Sequence, residues 1–180
     1  MKRFIFGLEK PEHICGSRDS PDEVCEWKDV ICNTTGEIEN FTWSGKKAAG
    51  TLGLGLLPWS VKTLDMSINS LSGTIQLASI PEKMENFYLY RNQLTGSLNL
   101  NSLPVAMQKV SLGENNFSGE ISLEQLPEGL ELLYLAYNQL NANPTKGHLS
   151  VVGWTSTPVL GEAKNLFKPL VVFLSWRRPY

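Results

Sequence analysis

The chain carries few of the side chains that do covalent chemistry. Its two histidines, His13 and His148, and its three cysteines, Cys15, Cys25 and Cys32, share no metal-ligand spacing. No glycine-rich phosphate loop and no serine nucleophile elbow occurs. Carboxylates such as Asp65 and Glu114 read as solvated surface groups. The expectation is no catalytic residue, no cofactor and no metal, so the chain is not read as an enzyme. Recognition remains. Tyr88, Tyr90, Arg91, Tyr134 and Tyr137 combine apolar area with a polar handle, as interface residues do. Ser111 and Glu114 fall between them. The competing expectation is that outward tyrosines merely pair across strands and stabilise a sheet.

Whether these side chains meet depends on the elements that carry them, and those come from a repeat. Asn69, Asn92, Asn115 and Asn138 recur at a step of 23 residues. Pro58, Pro81, Pro104 and Pro127 keep that step, as do Gly50, Gly73, Gly96 and Gly119. A fixed period in the twenties predicts a solenoid. Leu64-Asp65-Met66, Phe87-Tyr88-Leu89, Val110-Ser111-Leu112 and Leu133-Tyr134-Leu135 alternate apolar and polar. They are expected to form short parallel strands with the apolar residues inward. Asn69, Asn92, Asn115 and Asn138 then form a structural ladder, because an amide can both donate to and accept from buried backbone groups.

Leu71, Leu94, Phe117 and Leu140 return to the core, and the glycine two residues later permits unusual backbone angles. Segments 74–77, 97–100 and 120–123 alternate again and are expected to be second strands. The Leu-Pro or Ile-Pro that follows is expected to open a short outer arc of one 3₁₀ turn. Each coil buries about seven apolar residues, gross roughly 10–20 kcal/mol. Ordering its backbone costs more than that, so one coil does not fold alone. An earlier, degenerate coil carries Ile38, Phe41, Trp43 and Ala48, with Lys46 at the asparagine position.

The expected organisation is a lead-in at residues 1–24, an N-terminal cap at 25–37, a solenoid of about five coils at 38–143, and a non-repeat segment at 144–180. The lead-in reads as exposed, with a short helix over 22–27 capped by Asp22. Two readings of Cys25 and Cys32 stand. They form a disulfide around Trp27 that lids the open solenoid, or they are reduced, buried apolar residues. The disulfide is preferred because of Trp27 and the repeat that follows. Residues 144–180 either cap the far end or trail from it.

The 180 residues carry a formal net charge of −2, with 42% hydrophobic and 19% charged residues. That balance makes no case for nucleic acid. No apolar run reaches the roughly 18 residues of a membrane helix, so no membrane insertion is expected within this chain. The opening MKRFIFGLEK lacks the apolar core of a signal peptide. Three Asn-x-Ser/Thr triplets begin at Asn33, Asn40 and Asn116.

Residues 25–143 resemble the leucine-rich repeat family. The Gly-x-apolar step after Asn-x-Leu-x resembles the plant-type class. The segment CEWKDVIC resembles that class's Cys-x-Trp-x-x-Val-x-Cys cap. The recurrent Leu-Pro is similar to repeats of protist surface proteins. The resemblance implies a mostly β, right-handed solenoid, α/β by convention, with a parallel sheet on its concave face. It implies a protein or peptide ligand and an extracellular or cell-surface setting, though no signal peptide is visible. The alternative is a structural fragment of a larger surface or receptor-like protein with no ligand of its own.

Overall fold

A computed structural model describes residues 1–17, 19, 23–142 and 171–173. Two short helices, α1 (Lys2–Ile5) and α2 (Glu12–Cys15), come first. The strands follow in chain order: β1 (Val30–Cys32), β2 (Ile38–Thr42), β3 (Ala49–Gly50), β4 (Thr63–Asp65), β5 (Ser70–Thr74), β6 (Asn86–Tyr88), β7 (Gln93–Gly96), β8 (Lys109–Ser111), β9 (Asn116–Ile121), β10 (Leu132–Tyr134), β11 (Gln139–Ala142) and β12 (Val171–Phe173). They form two sheets, β1-β2-β4-β6-β8-β10-β12 and β11-β9-β7-β5-β3. The chain is a solenoid of about four turns.

In the first sheet every coil places the same residue beside its neighbour. Phe41 pairs with Leu64, Leu64 with Phe87, Phe87 with Val110 and Val110 with Leu133. All five are fully buried. Their outward neighbours are half-buried in β4, β6, β8 and β10. The alternation of a half-exposed parallel strand therefore sets the face of each side chain.

The second sheet has a different register. Gly50 pairs with Leu71, Gly73 with Leu94, Gly96 with Phe117 and Gly119 with Leu140. Each coil slips by two residues against the last, and an even slip keeps every side chain on its own face. The glycines stand at φ of 119°, 82°, 90° and 89°, the region a β-carbon resists.

Two sequence expectations are corrected here. The second strands begin at Ser70, Gln93 and Asn116, directly after the asparagines, rather than at 74, 97 and 120. Ile75, Leu77, Leu98, Leu100 and Ile121 are buried as their alternation implies. Alternation reports which way a side chain faces, not whether its backbone pairs. The 3₁₀ turns are Leu54–Leu56, Leu77–Ser79 and Leu100–Ser102, and they precede Pro58, Pro81 and Pro104. The residue before proline is forced extended. Leu57, Ile80 and Leu103 accordingly have ψ of 142°, 135° and 137° and end each turn. Each proline carbonyl then accepts from the backbone N–H three residues on, as Pro81 does from Met84 at 3.0 Å.

The lead-in is not wholly exposed. Phe4, Ile5, Leu8, Ile14 and Cys15 are all buried in the common core. Phe4 meets Phe41 edge to face, ring centroids 6.4 Å apart. Glu9 N–H donates to the Ala49 carbonyl at 3.0 Å, and Thr51 N–H to the Gly7 carbonyl at 3.1 Å. The first coil has no preceding coil, and these residues cover the apolar end it would otherwise show to water. Trp27 is buried beside them. Cys25 and Cys32 form a disulfide, so their reading as reduced apolar residues is set aside. A 3₁₀ turn at Val24–Glu26 stands where a helix over 22–27 is expected; Asp22 lies outside the described residues.

At the far end, Leu132, Leu133 and Tyr134 pair with Val171, Val172 and Phe173 in parallel. Three residues of the 144–180 segment thus extend the first sheet; the rest of that segment lies outside the described residues.

Candidate functional site

The asparagines position the rim of the concave face. Asn115 Nδ2 donates to the Leu89 carbonyl at 2.9 Å and the Leu112 carbonyl at 3.1 Å. Its Oδ1 accepts from Leu94 N–H at 3.1 Å. Asn92 and Asn138 repeat the arrangement one coil before and after. Asn69 reaches Trp43, Lys46 and Ala48 in the degenerate coil and Met66 in its own. The amide stitches its own coil to the previous one where backbone groups would otherwise be buried unpaired.

To bring each asparagine inward, the preceding residue turns left-handed. Ile68, Arg91, Glu114 and Tyr137 have φ of 56°, 55°, 50° and 60°. This turn leaves Arg91, Glu114 and Tyr137 at the rim, beside the outward strand residues. Tyr137 is 64% exposed.

Inside the rim, Tyr90 and Tyr134 are two coils apart in the chain, yet their ring centroids lie 5.7 Å apart, tilted by 56°. Tyr134 leans diagonally across Gly113, where a β-carbon would fall on its ring. Gly113 is therefore the seat of the Tyr134 ring. Tyr90 Oη donates to Glu114 Oε1 at 2.6 Å, and Arg91 Nε stands 3.8 Å from Glu114 Oε2. Tyr88 Oη donates to Asn86 Oδ1 at 3.4 Å. Ser111 lies between Tyr88 and Tyr134 in the sheet register.

The three strand-side phenols sit above their ordinary titration range. For Tyr90 the hydrogen bond to Glu114 is the largest cause, with burial and the Glu114 charge adding to it. Burial leads for Tyr134, followed by Glu114 and Tyr137. Burial leads for Tyr88 as well, followed by the charge of Asp65. All three stay neutral donors at physiological pH. Glu114, in contact with Tyr90 and Arg91 and acting on Tyr134, is the shared centre of the cluster.

Tyr88, Tyr90, Arg91, Ser111, Glu114, Tyr134 and Tyr137 thus share one face. In the column shared with Tyr90, Ser67, Gly113 and Ala136 are buried, because short side chains do not reach past their neighbours in the sheet. Asp65, read from the sequence as a solvated carboxylate, pairs with Tyr88 in the register. Its Oδ1 accepts from Ser67 N–H at 2.9 Å. The 23-residue alignment of columns is the signal that places Asp65, Tyr88, Ser111 and Tyr134 in one row.

Among the described residues no group of three or more His, Cys, Asp or Glu is placed to hold a metal ion. No helix among them is long and apolar enough to cross a membrane.

No protein-family model and no curated protein matches the sequence. Solved structures do match. The leucine-rich repeat ectodomain of the receptor kinase SOBIR1 from Arabidopsis thaliana is similar with a TM-score of 0.58 and 25% identity, over 68% of this chain and 74% of that one. The BIR2 ectodomain from Arabidopsis thaliana gives 0.64 and 22%, over 76% and 77%. The ectodomain of GASSHO1/SCHENGEN3 from Arabidopsis thaliana, in complex with CASPARIAN STRIP INTEGRITY FACTOR 2, gives 0.55 and 29%, over 64% of this chain and 15% of that one.

Proposed function

Because the chain is a leucine-rich repeat solenoid, we propose that it is a non-catalytic recognition module whose concave face binds a protein or peptide. The contact residues are Tyr88, Tyr90, Arg91, Ser111, Glu114, Tyr134 and Tyr137. The observation that carries this reading is the Tyr90–Tyr134 ring pair with Glu114 hydrogen-bonded to it. Cross-strand stabilisation pairs a residue with its lateral or diagonal neighbour on the next strand. Tyr134 instead leans past that neighbour, over Gly113, to a tyrosine two coils away. The product is an aromatic surface with phenol donors gathered around the Glu114 carboxylate. Such surfaces suit peptide and protein contacts, where tyrosine and arginine supply much of the binding energy. The similar GASSHO1/SCHENGEN3 ectodomain, solved with CASPARIAN STRIP INTEGRITY FACTOR 2, supports the same kind of use.

A phage-displayed peptide library panned against the whole chain tests it. Selected peptides should lose about tenfold or more in affinity on Tyr90→Ala or Tyr134→Ala, the loss typical of an interface anchor. Binders indifferent to both substitutions, with the fold intact, would remove the concave face as the site.

A further inference from the structure

We infer that Asn116 is the chain's N-glycan acceptor, and that Asn33 and Asn40, which carry the same triplet, are not. Asn-x-Ser/Thr on a surface segment of a disulfide-bearing protein is the substrate of oligosaccharide transfer, and disulfides belong to the compartments where that transfer occurs. The Cys25–Cys32 disulfide meets the second condition. The structure then separates the three triplets.

Asn33 is committed to its own turn. Its Oδ1 accepts from Thr35 N–H at 2.9 Å, Thr35 Oγ1 at 2.7 Å and Glu37 N–H at 2.9 Å, while its Nδ2 donates to Glu37 Oε2 at 3.1 Å. A sugar on Nδ2 would take one of its two protons beside Glu37 and crowd the loop. Asn40 is half-buried inside the first sheet, between Ile31 of β1 and Thr63 of β4. A sugar there would stand in the concave trough. Asn116 opens β9 in the second sheet, away from that trough, and is exposed. Among the described residues its side-chain amide has no hydrogen-bond partner. Ser70, Gln93, Asn116 and Gln139 occupy one position of successive coils, and all four are exposed. The column faces water in every turn. Phe117, between the acceptor and Ser118, is fully buried and anchors the segment.

In the transfer, Nδ2 of Asn116 bonds to the anomeric carbon of a lipid-diphosphate-linked oligosaccharide. That carbon's bond to the diphosphate oxygen breaks, and the electron pair leaves with the lipid diphosphate. One amide proton goes to a base of the transferase. The product carries a bulky, hydrated group on the flank and leaves the concave face open.

The test expresses the whole chain behind a secretion signal in glycosylating eukaryotic cells and reads the mass of the product before and after enzymatic glycan release. The same variants translated with microsomal membranes give the readout independently of export. One glycan is expected, absent in Asn116→Gln and Ser118→Ala, retained in Ser118→Thr, and unchanged by Asn33→Gln or Asn40→Gln. An unmodified wild-type chain in both systems, or a glycan that survives Asn116→Gln, overturns the assignment.

Discussion

Tyr134 lies across Gly113, and a β-carbon at position 113 would fall on its ring. Gly113→Ala therefore forces the ring away and separates it from Tyr90. Overpacking of this kind costs about 1–3 kcal/mol. In a Tyr134→Ala background the same glycine substitution should cost less, because the ring is gone and only the Ala136 carbonyl, 3.0 Å from the new β-carbon, still crowds it. Urea unfolding of the four proteins of this cycle measures the coupling. Additive losses would mean that Gly113 is not the seat of the ring.

Asn115 is buried, with its amide bonded to Leu89, Leu94 and Leu112. Asn115→Leu keeps the volume and leaves one donor, Leu94 N–H, and three acceptors, the Leu89, Leu112 and Gly113 carbonyls, without it. Each buried orphan costs about 1–3 kcal/mol, so a loss of at least roughly 3 kcal/mol is expected. Asn69→Leu should cost less, because Asn69 is only half-buried and water can replace part of its bonding. Equal losses at the two positions would contradict the stitching role.

Ile68 occupies the left-handed turn at φ 56° and is half exposed. The left-handed region strains a β-branched residue by about 1–2 kcal/mol, and asparagine tolerates it better. Ile68→Asn should therefore raise the melting temperature, with little apolar burial lost. A melting temperature that falls would show that the Ile68 side chain contributes more than its backbone strain costs.

Tyr88, Tyr90 and Tyr134 all titrate above the ordinary value of 10.0. A raised folded pKa means that the native state holds its protons longer than the unfolded chain. The stability this provides is fully present below the unfolded value and is lost as pH rises through the folded one. Unfolding by urea should therefore become easier only above pH 10.0. Tyr90→Phe, which removes the donor to Glu114, should flatten part of that decline. An unchanged alkaline slope in Tyr90→Phe would remove the Glu114 bond as its cause.

The periodic part of this molecule was legible because every coil must bury the same columns. One misplaced residue in Leu64, Phe87, Val110 or Leu133 would break contact with two neighbouring coils. The asparagine row and the inward strand residues follow from that constraint. What escaped was what happens once rather than in every coil. Phe4, Ile5 and Leu8 sit in a stretch too short to show a period, yet they close the open end over Phe41. The pairing of Val171–Phe173 with Leu132–Tyr134 lies well outside the 23-residue step, so no register pointed to it.

Within the concave face, the row of outward residues was legible and its detail was not. Alternation assigns a face to Tyr134; it does not say that the ring leans over the neighbour without a side chain. The lean follows from Gly113 lacking a β-carbon and from Tyr90 offering an aromatic partner beyond it. The outer arc was misplaced for a different reason. Proline restricts the residue before it as well as itself, so the 3₁₀ turns close at Leu57, Ile80 and Leu103 instead of opening after them.

Concave-face recognition is tested most directly by amide hydrogen exchange of the whole chain with and without a saturating peptide from the displayed library. The account predicts slowed exchange at 86–91, 109–114 and 132–137, with 93–96 and 116–121 in the second sheet unchanged. Protection confined to 93–96 and 116–121, with the tyrosine strands exchanging as before, would contradict it.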